Sequence, residues 1–124
     1  MLSRVRTAAL WGLEAFPVEC EIDVGPGLPG FILVGLPDAS AREARERVWP
    51  ALRNAGFQVP DRRVTVNLAP ADVRKEGPSF DLPIAVGMLA ASEQFISDQL
   101  ENFVMVAELA LNGAVAPVGF LPVL

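Results

Sequence analysis

One loop of this 124-residue chain carries side chains that could perform covalent chemistry. It contains Lys75 and Ser79, and Asp81 follows at the start of an apolar segment. A serine hydroxyl becomes a nucleophile when a neighbouring base takes its proton. A solvated lysine has a pKa of about 10.4 and is charged at neutral pH, so Lys75 could be that base only if burial lowered its pKa.

The residues around Lys75 favour a structural interpretation of this loop. Its immediate neighbours are charged, and a Gly-Pro pair follows. This composition predicts an exposed loop in which the lysine amine stays protonated. We therefore interpret Ser79 and Asp81 as residues that satisfy free N–H groups at a helix start, with Asp81 as the N-cap. A Ser79–Lys75 hydrolase dyad is the alternative.

The loop lies between a strand and a helix of a mixed fold. Period-two alternation predicts that the strand at residues 14–24 has one buried and one solvated face. The remaining strands are predicted at residues 4–11, 31–34, 64–68, 103–109 and 115–118. Asn112-Gly113 is a hairpin signal between the last two strands.

Two helices are predicted to pack on this sheet. The first covers residues 39–55, with Ser40 and Glu43 as a capping box and with Pro50 kinking or splitting it. The second runs from Asp81 to about Glu93. It carries no charge from Leu82 to Ala91 and should be buried.

Composition excludes several kinds of site. The chain has no histidine, which removes histidine-dependent catalysis and histidine zinc sites. The single cysteine, Cys20, allows no internal disulfide and is interpreted as a buried apolar residue. Residues 25–30 match GxGxxG by spacing, but a strand follows where a dinucleotide site needs a helix. We expect no cofactor and no metal in this domain.

Charge patterning bears on nucleic-acid binding. The formal net charge of −5 argues against strong DNA binding by this chain alone. The best candidates for phosphate contact are Arg62, Arg63, Arg74 and Lys75. Three further arginines, Arg42, Arg45 and Arg53, are interpreted as an ion-paired helix face, with a partner or nucleic-acid contact as the alternative. The loop at 71–80 is expected to be mobile and exposed.

Neither a signal peptide nor a membrane-spanning run is recognisable in the sequence. We expect a cytoplasmic protein without membrane contact.

Two segments resemble Lon-type proteases. Residues 66–85 resemble the region around the catalytic serine, and residues 107–121, AELALNGAVAPVGFL, resemble the downstream segment. The position of the Lon catalytic lysine holds Pro122, so the resemblance implies that the base is absent. It also implies the ribosomal protein S5 domain 2-like fold, an α/β (α+β) architecture of mostly β-sheet with two packed helices.

Several blocks in one order resemble a narrower family. The blocks are Gly27–Gly30, Val34–Pro37, Ala41–Val48, Val66–Asp72, Asp81–Ala85, Leu89–Ser92 and Glu108–Gly113. Together they resemble the N-terminal Lon-protease-like domain of ComM/YifB-type magnesium-chelatase-like AAA+ ATPases.

This resemblance implies a non-catalytic interaction and assembly domain. We expect residues 1–124 to form one domain, with the AAA+ module beyond Leu124 in a longer protein. The implied parent is a hexameric, ATP- and Mg²⁺-dependent ATPase that acts on DNA, with branch migration in natural transformation as its role. The implied partners are its own AAA+ module, neighbouring subunits and DNA held by the ring. No GxxxxGK[ST] motif occurs in these residues, so none of them should form a P-loop.

Overall fold

Alternating strands and two apolar helix faces build a sheet covered on one side by helices. A computed structural model describes residues 1–11 and 13–116. The elements are β1 Leu2–Trp11, β2 Glu14–Gly25, β3 Gly30–Val34, α1 Ala39–Arg42, α2 Ala44–Asn54, β4 Arg63–Ala69, α3 Asp81–Ala91, β5 Glu108–Leu109 and β6 Val115–Ala116.

The main sheet has the strand order β1-β2-β4-β3. β2 pairs antiparallel with β1 and β4, whereas β3 and β4 are parallel. A parallel pair requires a crossover connection, and α1 and α2 supply it. The short strands β5 and β6 form a separate antiparallel pair. The mixed α+β class predicted from the sequence is therefore confirmed.

The core lies between the sheet and the helices α2 and α3. On β2, Val18, Cys20, Ile22 and Val24 are buried, which confirms the predicted alternation. Helix α3 packs on β1 and β2, and most of its residues are buried as its apolar composition predicts. At Gly87 the helix approaches the sheet so closely that a Cβ atom would overlap the Ile22 side chain.

The first predicted helix is divided in a different place from the expected one. Helices α1 and α2 meet at Glu43, and Pro50 lies inside α2. The predicted Ser40 cap is wrong, because the carboxylate of Asp38 accepts from Ala41 N at 2.8 Å. Asp38 directly precedes the helix and can reach this N–H group, whereas Ser40 already lies within the first turn.

Two predictions in the second half of the chain also need correction. Helix α3 begins at Asp81 with Phe80 at its N-cap position, so Asp81 is not the cap. Of the predicted strand at 103–109, Glu108–Leu109 forms a strand and Val104 forms an isolated parallel bridge with Arg6, whereas residues 100–102 form a 3₁₀ turn. The predicted returning strand is confirmed at Val115–Ala116, and its residues 117–118 lie outside the described residues.

Candidate functional site

The loop before α3 is fastened to the start of α1 by its backbone. Lys75 N donates to Leu36 O, and Asp38 N donates to Lys75 O, both at 2.9 Å. The Asp38 carboxylate that caps α1 also accepts from Gly77 N at 3.1 Å. One aspartate therefore ties a helix start to the loop.

This backbone pairing directs Lys75 into the protein. Its side chain has no exposed surface, and its Nζ donates to the carbonyl oxygen of Pro70. The predicted exposure of Lys75 is therefore wrong. Burial lowers the pKa of Lys75, and the nearby charge of Asp72 opposes that shift. A lysine that acts as a base at neutral pH needs a lowered pKa, so the position of the Lys75 amine relative to Ser79 decides whether it can act on the serine.

Ser79 is half-buried and contributes its backbone to the fold. Its carbonyl oxygen accepts from Ala107 N at 3.0 Å, which holds the segment before β5 against the start of α3. Within the described residues no hydrogen bond joins Lys75 Nζ to Ser79 Oγ. The two members of the candidate dyad lie in one loop without the contact that would activate the serine.

Asp81 forms a buried ion pair with Arg47 of α2. Its carboxylate has no exposed surface and accepts from Arg47 Nε at 2.6 Å and from Arg47 Nη2 at 3.1 Å. It also accepts from Leu109 N at 3.2 Å, and Arg47 donates to Ser40 O at 2.8 Å. These bonds connect α1, α2, α3 and β5, so the carboxylate is fully committed to the fold.

Burial and pairing act on the ionisation of this pair. Burial raises the pKa of Asp81, while the hydrogen bonds from Arg47 and Leu109 lower it. The hydrogen bond to Asp81 raises the pKa of Arg47. The two bonds from the Arg47 guanidinium, at 2.6 and 3.1 Å, favour an ionised carboxylate, because a protonated one would lose an acceptor position.

Sequence reasoning missed Arg47, although the sequence contains a signal for it. Arg47 follows Ala44 by three residues and precedes Ala51 by four, which places it on the buried stripe of α2. A charged residue on such a stripe needs a buried partner of opposite charge.

A second candidate site is a groove beside α2. Arg45, Trp49 and Arg53 follow one another at four-residue spacing and share one helix face. The Arg45 guanidinium lies 5.4 Å from the Trp49 ring centroid. Trp49 in turn packs edge-on against Phe31 of β3 with the centroids 5.2 Å apart.

This groove has a volume of about 300 Å³ and is also lined by Arg62. Its opposite wall comes from residues 59–62, from Pro29 in the turn before β3 and from Gly30 at the start of β3. We call it the α2 groove. Pro29 and Gly30 belong to the Gly-Pro turn that matched GxGxxG by spacing.

The structure does not bring the four predicted phosphate contacts together. Arg62 lines the α2 groove, whereas Arg63 lies on the other face of the sheet, opposite the buried Val64 and Val66. Arg74 lies 3.7 Å from Glu76, and Lys75 is buried. Of the helix arginines, Arg45 and Arg53 line the same groove as Arg62.

Residues 1–11 and 13–116 contain no group of three or more cysteines and carboxylates placed to hold a metal ion.

None of the helices in this part of the chain is long and apolar enough to cross a membrane.

Comparison with known proteins identifies the family. Residues 20–124 match the family model described as subunit ChlI of Mg-chelatase. The chain belongs to the Mg-chelatase ChlI family. It is 51% identical over 122 residues to Competence protein ComM of Haemophilus influenzae, covering 98% of this chain and 24% of that protein.

Two other relatives are named as uncharacterized proteins. The chain is 49% identical over 113 residues to Uncharacterized protein YifB of Escherichia coli, covering 91% of this chain and 22% of that protein. It is 43% identical over 122 residues to an uncharacterized protein of Mycobacterium bovis, with 98% and 24% covered. The predicted resemblance is confirmed, and the chain spans less than a quarter of the length of these relatives.

Proposed function

We propose that this chain is a non-catalytic interaction and assembly domain of a magnesium-chelatase-like AAA+ ATPase that processes DNA. Family membership and the relative named Competence protein ComM support this assignment. In the proposal the parent protein forms a cytoplasmic hexamer, and its AAA+ module binds ATP and Mg²⁺. Branch migration during DNA uptake is the proposed activity of the ring.

The S5 domain 2-like fold is part of the same proposal. It is supported by the parallel β3–β4 pair connected through helices and by the packing of α3 on β1 and β2.

The hydrogen bond from Lys75 Nζ to the Pro70 carbonyl oxygen is the main observation that supports the non-catalytic assignment. The only lysine of the chain uses its amine to hold the loop, and the nearby Asp81 carboxylate is held by Arg47. Without a base in contact, Ser79 is an ordinary hydroxyl. The chemistry-bearing residues of this loop therefore stabilise a platform that positions other parts of the assembly.

Replacement of Ser79 in the full-length protein tests this function. Ser79→Ala should leave the hexamer fraction in mass photometry unchanged, and DNA-stimulated ATP hydrolysis and branch migration should stay within about twofold of wild type. Loss of activity in Ser79→Ala at unchanged melting temperature would contradict a non-catalytic domain.

The coding sequence of the parent protein should contain GxxxxGK[ST], and replacing that motif's lysine should abolish both activities. Absence of the motif would contradict the assignment of the parent as an ATP-driven motor.

One observation favours a second function, a Lon-type Ser–Lys hydrolase. Burial lowers the pKa of Lys75, as such a base requires. A hydrolase would also need the Lys75 amine to leave the Pro70 carbonyl and reach Ser79 Oγ. A covalent serine probe separates the two functions, because it reports on Ser79 directly.

A further inference from the structure

We propose that the α2 groove binds the phosphodiester backbone of a single nucleic-acid strand. The proposal deepens the proposed function, since it rests on the parent acting on nucleic acid. Its evidence is that Arg45 and Arg53 of the helix face and Arg62, a predicted phosphate contact, line one cleft.

The helix wall of the groove presents two guanidinium groups, and an aromatic side chain lies beneath one of them. The Arg45 guanidinium lies over the Trp49 ring, and Trp49 packs edge-on against Phe31. A guanidinium over a ring face keeps N–H groups available for a second partner. These N–H groups match the oxygen atoms of a phosphate, which a guanidinium can bind through two hydrogen bonds. Arg53 extends the same helix face by one turn.

The charge balance of the groove favours an anion. Three arginines line it, and Asp61 is the single carboxylate residue among its lining. Among the described residues, the ion pairs of the protein involve Arg4, Arg47, Arg74 and the N-terminus, and none involves a groove arginine. Elsewhere on the surface, β2 presents Glu19 and Glu21 to Arg4, so that charge is matched within the protein.

The size of the groove selects one strand over a duplex. A volume of about 300 Å³ accommodates a nucleotide-sized segment, whereas a DNA duplex would need a far larger concave surface. Single strands are commonly held by a basic groove with an aromatic side chain beside it, and Trp49 occupies that position here.

Binding can be measured on the 124-residue chain with Trp49 as the reporter. The chain has two tryptophans, so Trp11→Phe makes Trp49 the single one. Titration with a fluorescent oligothymidylate of eight nucleotides should quench Trp49 and raise the anisotropy of the oligonucleotide. Arg53→Ala and Arg62→Ala should each weaken binding roughly threefold to tenfold. Each should also reduce the slope of log affinity against log salt by about 0.7, the value for one lost contact to a single strand.

Arg6→Ala is the matched control, because Arg6 is an exposed residue of β1 and does not line the groove. It removes the same charge and should leave affinity and salt slope unchanged. Thermal melting checks that every variant is folded. An equal loss in groove and control variants would overturn the proposal, as would the absence of binding by the wild-type chain. Displacement of the oligonucleotide by an equal phosphate concentration of pyrophosphate would indicate a free-phosphate site and would also overturn it.

The outcome is separable from that of the proposed function. If the groove variants bind the oligonucleotide as the control does while Ser79→Ala stays active in branch migration, the groove proposal alone is rejected. A Ser79-dependent hydrolase would instead reject the non-catalytic assignment and leave the groove measurement intact.

Discussion

Replacing Asp81 with asparagine should destabilise the protein by breaking its buried ion pair. The substitution keeps the size of the side chain but exchanges one acceptor oxygen for an NH₂ group. One of the two positions that accept from Arg47, at 2.6 and 3.1 Å, then carries a donor. The Arg47 guanidinium loses the charge that compensates its burial.

The size of the effect follows from the burial of the two partners. Removing one partner from a fully buried pair costs about 3–5 kcal/mol. Asp81 is fully buried, but the Arg47 side chain is 15% exposed and keeps Ser40 O as an acceptor. We therefore expect a loss of about 2–4 kcal/mol in the free energy of unfolding, somewhat less than for a fully buried pair. For a chain of this length the melting temperature should fall by roughly 10 °C.

Urea unfolding followed by circular dichroism measures this loss. Glu43→Gln is the matched control, because Glu43 also lies near Arg47 at 3.6 Å but is 66% exposed. It should change the free energy of unfolding by less than about 0.5 kcal/mol. The double variant Arg47→Met with Asp81→Leu should recover part of the loss by replacing the pair with apolar side chains. If Asp81→Asn stays within about 0.5 kcal/mol of wild type, the ion pair does not connect the helices as described.

Three further outcomes follow from buried groups. Burial lowers the pKa of Lys75 from 10.5. At a pH between the lowered pKa and 10.5, the unfolded chain therefore keeps a proton on Lys75 that the folded chain has released. Stability should therefore rise with pH between the lowered pKa and 10.5, and urea titrations of Lys75→Met should show a flatter dependence. Gly87→Ala should cost about 1–3 kcal/mol in urea unfolding, because its Cβ would displace Ile22; an unchanged midpoint would reject the close helix–sheet approach. Burial raises the pKa of the Cys20 thiol, so a disulfide reagent should modify it only in denaturant, and rapid modification of the folded chain would contradict its burial.

Local patterns in the sequence were enough to predict much of the fold. The alternation along β2 and the uncharged run of α3 depend on neighbouring residues, and both are confirmed. The helix start near residue 39 was also predicted, although its cap is Asp38 rather than Ser40. In these segments the period of the side chains alone determines which face is buried.

The candidate sites depend on contacts that local patterns do not reveal. Lys75 is buried because its backbone pairs with the segment at Leu36 and Asp38, far away in the chain. Arg47 and Asp81 are 34 residues apart in sequence. The α2 groove needs Arg62 beside the helix, which follows from the crossover between β3 and β4.

Covalent labelling of Ser79 tests the non-catalytic assignment most directly. The full-length protein and its Ser79→Ala variant would be treated with a fluorophosphonate probe at pH 7 to 10, and intact mass would report the adduct. Because burial lowers the pKa of Lys75, raising the pH from 7 to 10 favours the neutral amine that a base requires. The account predicts no adduct that depends on Ser79, because the lysine amine donates to Pro70 and not to the serine. An adduct on the wild-type protein that Ser79→Ala abolishes would contradict the account and establish a serine nucleophile.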